Sequence, residues 1–186
     1  MSELTSKRIV IGVCGGIACY KVCTLVSRLV QRGADVTVLM TEAATRFVTP
    51  LTFETLSGKP VFTSLWEAID NHESQHIAVA KQCDAMVIAP ATANTLAKLA
   101  NGLCDNVVTT ITCAVPRQTP VVIAPAMNAE MWDHPITQEN IRKLKEIAAY
   151  RFVGPEEGWQ ACRTQGQGRM SEPEVIVDHV VTLLSR

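Results

Sequence analysis

Four short segments, at residues 7–13, 35–40, 84–89 and 119–124, are apolar nearly end to end, and this feature constrains the chain most. They lack the polar alternation of a strand with one wet face, so each must be covered on both sides. Between and after them, apolar residues recur at helical spacing over 17–31, 50–56, 92–100, 105–114, 135–149 and 173–184. Gly33 stops the first of these helices, and Thr41 can cap a short one running to Phe47. Pro50, Pro135 and Pro173 suit first-turn positions. Buried strands alternating with helices predict a parallel sheet with helices on both faces. Right-handed crossovers then give an α/β, three-layer Rossmann-like sandwich with a mostly parallel sheet, as one domain over 1–186. Two stretches stand outside this pattern. Residues 62–75 are polar and irregular. Residues 154–170 hold Gly154, Gly158, Gly166 and Gly168 beside Trp159 and Cys162, which predicts a functional loop rather than a disordered one.

Composition removes several classes of function. Hydrophobic residues are 47% of the 186, enough for a substantial core. Charged residues are 19%, below the roughly 25% of an ordinary soluble domain, so part of the surface is expected to lie against further copies of the chain. A net charge of -1 without a long basic run argues against nucleic acid and against an electrostatic membrane anchor. No apolar stretch approaches the roughly 18 residues that cross a bilayer, and residues 1–7 do not read as a signal peptide. The seven cysteines include no Cys-x-x-Cys pair, so no metal site is expected. Most of them read as small buried hydrophobes, Cys14, Cys104 and Cys113 among them, in a reducing, cytoplasmic compartment.

In doubly wound sheets, ligands sit beyond the C-terminal ends of the strands. The first strand ends in Gly15-Gly16-Ile17, where backbone amides can approach a phosphate at a helix N-terminus. A tight turn explains the two glycines equally well. A dinucleotide fingerprint is absent. The second strand ends in Thr41, a hydroxyl where a ribose would want a carboxylate, which suits a mononucleotide. The third gives Pro90-Ala91-Thr92-Ala93-Asn94-Thr95, where Thr92 and Asn94 could be ligands or simple helix caps. The fourth gives Pro125-Ala126-Met127-Asn128, with Met131 and Trp132 one turn later, setting soft apolar groups around one amide.

These pieces come in an order that carries a resemblance. The segment Gly12-Val13-Cys14-Gly15-Gly16-Ile17-Ala18, then His76, the Pro90 and Pro125 segments and the Cys162 loop resemble the homo-oligomeric flavin-containing cysteine decarboxylases over about residues 6–185. The likeness is strongest to the branch that serves coenzyme A biosynthesis. Residues 125–132 match the family pattern P-x-M-N-x-x-M-W at every fixed position. Gly16 departs from the family, which often has Ser there.

The resemblance implies FMN-dependent decarboxylation of 4'-phosphopantothenoyl-L-cysteine to 4'-phosphopantetheine. It implies FMN binding by Gly15, Gly16, Ile17, Thr41, Ala91, Thr92, Ala93 and Asn94. Asn128 then holds the substrate carboxylate and Met131 packs beside it. His76 acts as base or electrostatic partner in thiol oxidation and decarboxylation, and Cys162 as the acid of the final reduction. The loop at 154–170 closes over substrate, and Arg163 and Arg169 are candidates for its phosphate. A homotrimer, or a dodecamer built from trimers, is implied, with the synthetase of the same pathway as a separate partner because these residues leave no room for it. Two alternatives remain open: a peptidyl-cysteine decarboxylase, which stops at the enethiol and needs no loop thiol, and a non-catalytic flavin-binding regulatory subunit.

Overall fold

The computed structural model describes residues 3–66 and 75–185, with the side chains of Gln75 and His76 outside that set. Strands β1 (Arg8–Val13), β2 (Asp35–Met40), β3 (Ala85–Ala91), β4 (Val121–Pro125) and β5 (Arg151–Phe152) form one sheet. Its order is β2-β1-β3-β4-β5 and every neighbouring pair is parallel. The helices are α1 (Cys19–Gln31), α2 (Pro50–Ser57), α3 (Gln75–Gln82), α4 (Ala93–Ala100), α5 (Val107–Ala114), α6 (Ala129–Asp133), α7 (Pro135–Glu146) and α8 (Pro173–Leu184). The three-layer α/β sandwich predicted from the strand runs is the fold observed.

Two cores explain why the strands are apolar throughout. On one face Ile9, Ile11, Val13, Val36, Val38, Val87, Ala89, Val122 and Ala124 pack against α1 and α8. On the other, the intervening residues Val10, Leu39, Met86, Ile88, Val121 and Ile123 pack against α4, α5 and α7. Successive side chains point to opposite faces, so consecutive apolar residues fill both cores at once. Each fully buried Val, Leu or Ile contributes about 1.5–3 kcal/mol relative to exposure. Helix α1 buries Cys19, Val22, Leu25, Val26 and Leu29, the single stripe that a 3.6-residue period requires. Helix α5 is rich in β-branched residues, which are weak helix formers. It forms because the Asn106 side chain accepts from the Thr109 amide (3.1 Å) and because Val107, Val108, Ile111 and Thr112 are buried.

Several boundaries differ from the sequence reading. Helix α1 begins at Cys19, not residue 17, because Gly15 to Ala18 form a turn. The predicted helix after Thr41 is one short 3-10 turn, Ala44–Arg46. Strand β3 continues through Pro90 to Ala91 with a register shift between Ile88 and Ala91. Pro90 has no N–H to give the ladder, so the strand bulges there. Helix α7 stops at Glu146, short of 149. Phe62 lies beside the outer edge of β2, donating to Val38 (3.0 Å) and accepting from Met40 (2.8 Å), which covers that edge. The rest of the irregular stretch, at 67–74, lies outside the described residues. Residues 154–170 are not an open loop. They contain an antiparallel hairpin of β6 (Glu156–Trp159) and β7 (Gln165–Arg169).

Candidate active site

The candidate site lies at the C-terminal edge of the sheet, where four strands end side by side. Val13 of β1 pairs with Met40 of β2, and the Thr41 amide donates to the Val13 carbonyl (3.0 Å). Ala91 of β3 pairs with Pro125 of β4, and the Ala126 amide donates to the Ala91 carbonyl (3.0 Å). The turns that follow open into one cavity of about 1280 Å³. Its wall carries Gly15, Gly16, Ile17 and Thr41, then Thr92, Ala93 and Asn94, then Asn128, Met131 and Cys162.

The first turn is shaped for close approach. A Cβ on Gly15 would collide with Ala43, so only glycine lets the β1 and β2 turns meet. Gly16 is different. A Cβ there meets Thr92 at 3.7 Å, ordinary contact, so a serine would fit. Helix α1 starts at Cys19, and its N-cap Ala18 offers no side-chain cap. The Cys19 and Lys21 amides donate to the Gly16 and Ala18 carbonyls (3.0 Å each), which leaves the amides of Ile17, Ala18 and Tyr20 for an anion. The Thr41 hydroxyl accepts from the Ala44 amide (3.3 Å) and keeps its own proton for a ligand. Thr92, by contrast, caps α4, accepting from the Thr95 amide (3.2 Å) and donating to the Thr95 hydroxyl (3.2 Å).

Asn128 joins the β4 end to the hairpin. Its Oδ1 caps α6 by accepting from the Glu130 amide (2.8 Å). This orients Nδ2 to donate to Cys162 Sγ (3.3 Å). The two residues are brought together by the hairpin's attachment to the sheet. The Met127 amide donates to the Gly168 carbonyl (3.0 Å), and a Cβ on Gly168 would collide with the Met127 carbonyl. The tip is a tight turn closed by Arg163 N–H to Gln160 C=O (2.9 Å) and Gln160 N–H to Thr164 C=O (2.8 Å). Arg163 adopts the left-handed φ of 65° that such a turn demands.

Hydrogen bonds from Thr164 and then Asn128 hold the Cys162 thiol below its ordinary range. Burial pushes Cys14 up to about 12, as befits a packing thiol beneath the site. Cys104 and Cys113 correct the sequence reading, since both are exposed. Burial of the Cys113 sulfur and the neighbouring Cys104 push Cys113 up to about 11.

Other assignments also change. Ala91 is fully buried as the last residue of β3, paired with Pro125, and is not on the cavity wall. Trp132 turns into the core, while Met131 faces the cavity and is half exposed. Arg163 sits at the hairpin tip away from the wall. Arg169 is on the wall, but its guanidinium already pairs with Glu156 (3.1 Å) and Glu172 (3.6 Å). His76 is the second residue of α3, and its side chain lies outside the described residues.

Sequence reasoning missed Lys21, whose Nζ donates to Glu172 Oε1 (2.8 Å) and the Met170 carbonyl (3.2 Å) at the cavity wall. This pairing holds the Glu172 carboxyl below its usual range. It also missed Lys98, paired with Asp105 (2.6 Å), and Gln160 at the hairpin tip. A position one turn into α1, beyond the glycine turn, was the only available signal for Lys21.

Comparisons with known proteins give the family. Residues 1–185 match the Flavoprotein family. The chain belongs to that family. It is 47% identical over 174 residues to the coenzyme A biosynthesis bifunctional protein of Bacillus subtilis, covering 94% of this chain and 42% of the relative. It is 42% identical over 175 residues to a protein of Streptococcus mutans named as a probable phosphopantothenoylcysteine decarboxylase, covering 94% and 97%. The flavoprotein therefore spans less than half the length of the bifunctional relative and nearly all of the other. Its backbone is similar to a cysteine-to-serine mutant of PPC decarboxylase complexed with pantothenoylaminoethenethiol, with a TM-score of 0.85, 30% identity and coverage of 97% and 99%. It is also similar to the FMN-dependent cysteine decarboxylase SpaF, with a TM-score of 0.83, 29% identity and coverage of 98% and 99%.

Proposed function

We propose that this flavoprotein catalyses FMN-dependent decarboxylation of 4'-phosphopantothenoyl-L-cysteine to 4'-phosphopantetheine, in coenzyme A biosynthesis. The observation that carries the reading is the Asn128 Nδ2 to Cys162 Sγ bond of 3.3 Å, set in the same cavity as the uncapped start of α1. A carboxylate-binding amide and a thiol acid meet beside a site for one phosphate. The family match and the named relatives support it.

The residues present fit FMN. The amides of Ile17, Ala18 and Tyr20 at the start of α1 and the unused Thr41 proton form a site for a single phosphate, and no dinucleotide fingerprint accompanies it. When bound, the flavin supplies the hydride acceptor and donor that CO₂ loss from this substrate requires.

The protein's own groups then have distinct tasks. Asn128 Nδ2 donates to the substrate carboxylate. An amide holds that charge without locking it in place as a cation would, which favours its departure as CO₂. His76 takes the substrate thiol proton. Cys162 delivers a proton to carbon in the final reduction, and its lowered thiol makes it a better acid than an ordinary cysteine. The hairpin within 154–170 covers the reacting groups and excludes water. Residues 1–186 act as one decarboxylase domain.

Ile17, Tyr20 and Trp159 on the cavity wall are 60%, 61% and 67% exposed, which supports a further copy of the chain completing the site in a trimer or a dodecamer of trimers. A synthetase would supply the substrate in the cytoplasm. Incubating the protein with phosphopantothenoylcysteine and weighing the product tests the reading. Phosphopantetheine supports it. An enethiol, lighter by H₂, would indicate the peptidyl-cysteine type of reaction, and unchanged substrate would indicate a binding protein.

A further inference from the structure

Two side chains at the hairpin tip, Gln160 and Thr164, have no part in the reaction above. Gln160 is 6% exposed and its amide orientation is fixed from both ends. Nε2 donates to the carbonyls of Gly166 (3.4 Å) and Gln167 (3.3 Å), while Oε1 accepts from the Ala129 amide (3.2 Å). Oε1 is therefore a fixed acceptor, 3.3 Å from Thr164 Oγ1 and 3.5 Å from Cys162 Sγ. Thr164 Oγ1 itself lies 2.9 Å from Cys162 Sγ. One hydroxyl proton thus has two acceptors within reach.

We propose that Thr164 is a positioning residue for Cys162: its hydroxyl holds the sulfur beside Asn128 and stabilises the thiolate left when the proton departs. While Cys162 is protonated, its S–H can donate to Gln160 Oε1 and the Thr164 proton is shared between the same oxygen and the sulfur. Once the proton has gone to substrate, the sulfur can only accept. Thr164 O–H then turns fully to the sulfur, joining Asn128 Nδ2, and no group needs to move along the chain. Bonds to the charged form are the stronger kind, so the arrangement favours proton release.

The lowered Cys162 thiol agrees, with Thr164 its largest cause and Asn128 the next. The charged side chains of α6, Glu130 and Asp133, and of the hairpin, Glu156, Glu157, Arg163 and Arg169, are not among the groups that move it.

The catalytic consequence rests on Cys162 being the acid, but the test does not. Flavin-loaded protein is treated with iodoacetamide across a range of pH, and alkylation of the peptide carrying Cys162 is followed by mass. Thr164→Val should slow alkylation near neutral pH about fivefold, the size of one net hydrogen bond, and move its rise to higher pH. Thr164→Ser, which keeps the hydroxyl, should react as the unaltered protein does. An unchanged rate and profile in Thr164→Val would overturn the proposal, as would a Ser variant as slow as the Val one. Turnover by Cys162→Ser, measured separately, tests the acid itself and leaves the alkylation result standing.

Discussion

Replacing Asn128 by Asp keeps one task of this side chain and reverses the other. Oδ1 caps α6 through the Glu130 amide, and α6 is only five residues long, so the cap is a large part of what forms it. Asp caps as well as Asn and gains from the helix dipole. Nδ2 is the donor that faces Cys162 and, by the proposed mechanism, the substrate carboxylate. Asp has no donor there and adds a like charge. Losing a hydrogen bond to a charged group costs about 1.5–3 kcal/mol, or roughly 10- to 150-fold in kcat/KM, and repulsion deepens the loss. Asn128→Ala also removes the donor, without the repulsion, but gives up the cap, at about 1 kcal/mol. For a chain of this size that lowers Tm by about 2–4 °C. The variants should therefore rank Asn, Ala, Asp in activity but Asn and Asp together above Ala in stability. Product formation by mass and thermal unfolding by circular dichroism give both rankings. An Asp variant with unaltered kcat/KM, or two rankings that coincide, would refute the division of tasks.

Cys162→Ser should release CO₂ for about one turnover under anaerobic conditions and yield a product lighter by H₂, because only the final protonation needs the thiol. Full formation of phosphopantetheine by that variant would remove Cys162 from the mechanism. In the native protein, alkylation should reach Cys162 first, then Cys113, then Cys14. A lowered thiol holds more thiolate at a given pH, whereas Cys113 and Cys14 are pushed up to about 11 and about 12. Peptide masses over a time course check the order. Ile88→Ala, at a fully buried position between β1 and β4, should cost about 2–5 kcal/mol, read from the urea midpoint, with the cavity residues untouched.

The parallel sheet and its helices were legible because their signal is local and repeated. Every strand residue from Ile9 to Val13 is buried on one face or the other, so the run itself declares two covered faces. The Pro125 to Trp132 segment was legible through its resemblance to a family pattern, which it matches at every fixed position. Helix α5 was legible only as a weak expectation. Its threonines and valines disfavour a helix, and the Asn106 cap and burial outweigh them.

The hairpin was not legible. Glu156–Trp159 and Gln165–Arg169 have no apolar alternation, and glycine is a poor strand former. What holds them is remote in sequence: the Met127 amide donating to the Gly168 carbonyl and the Ala129 amide donating to the buried Gln160 Oε1. Met131 and Trp132 looked alike as soft neighbours of Asn128, but packing sends one to the cavity and the other to the core. Ala91 failed as a wall residue because β3 runs one pair further than the apolar run suggests.

The sequence by itself determined which residue types stand at the strand ends, because solvent-free strands and short turns are specified within a few positions. Only the tertiary structure decided which of those ends face each other. Asn128 and Cys162 are 34 residues apart, and the bond between them depends on the hairpin docking against the β4 end through Met127 on Gly168 and Ala129 on Gln160, pairs too far apart in sequence for any local pattern to encode.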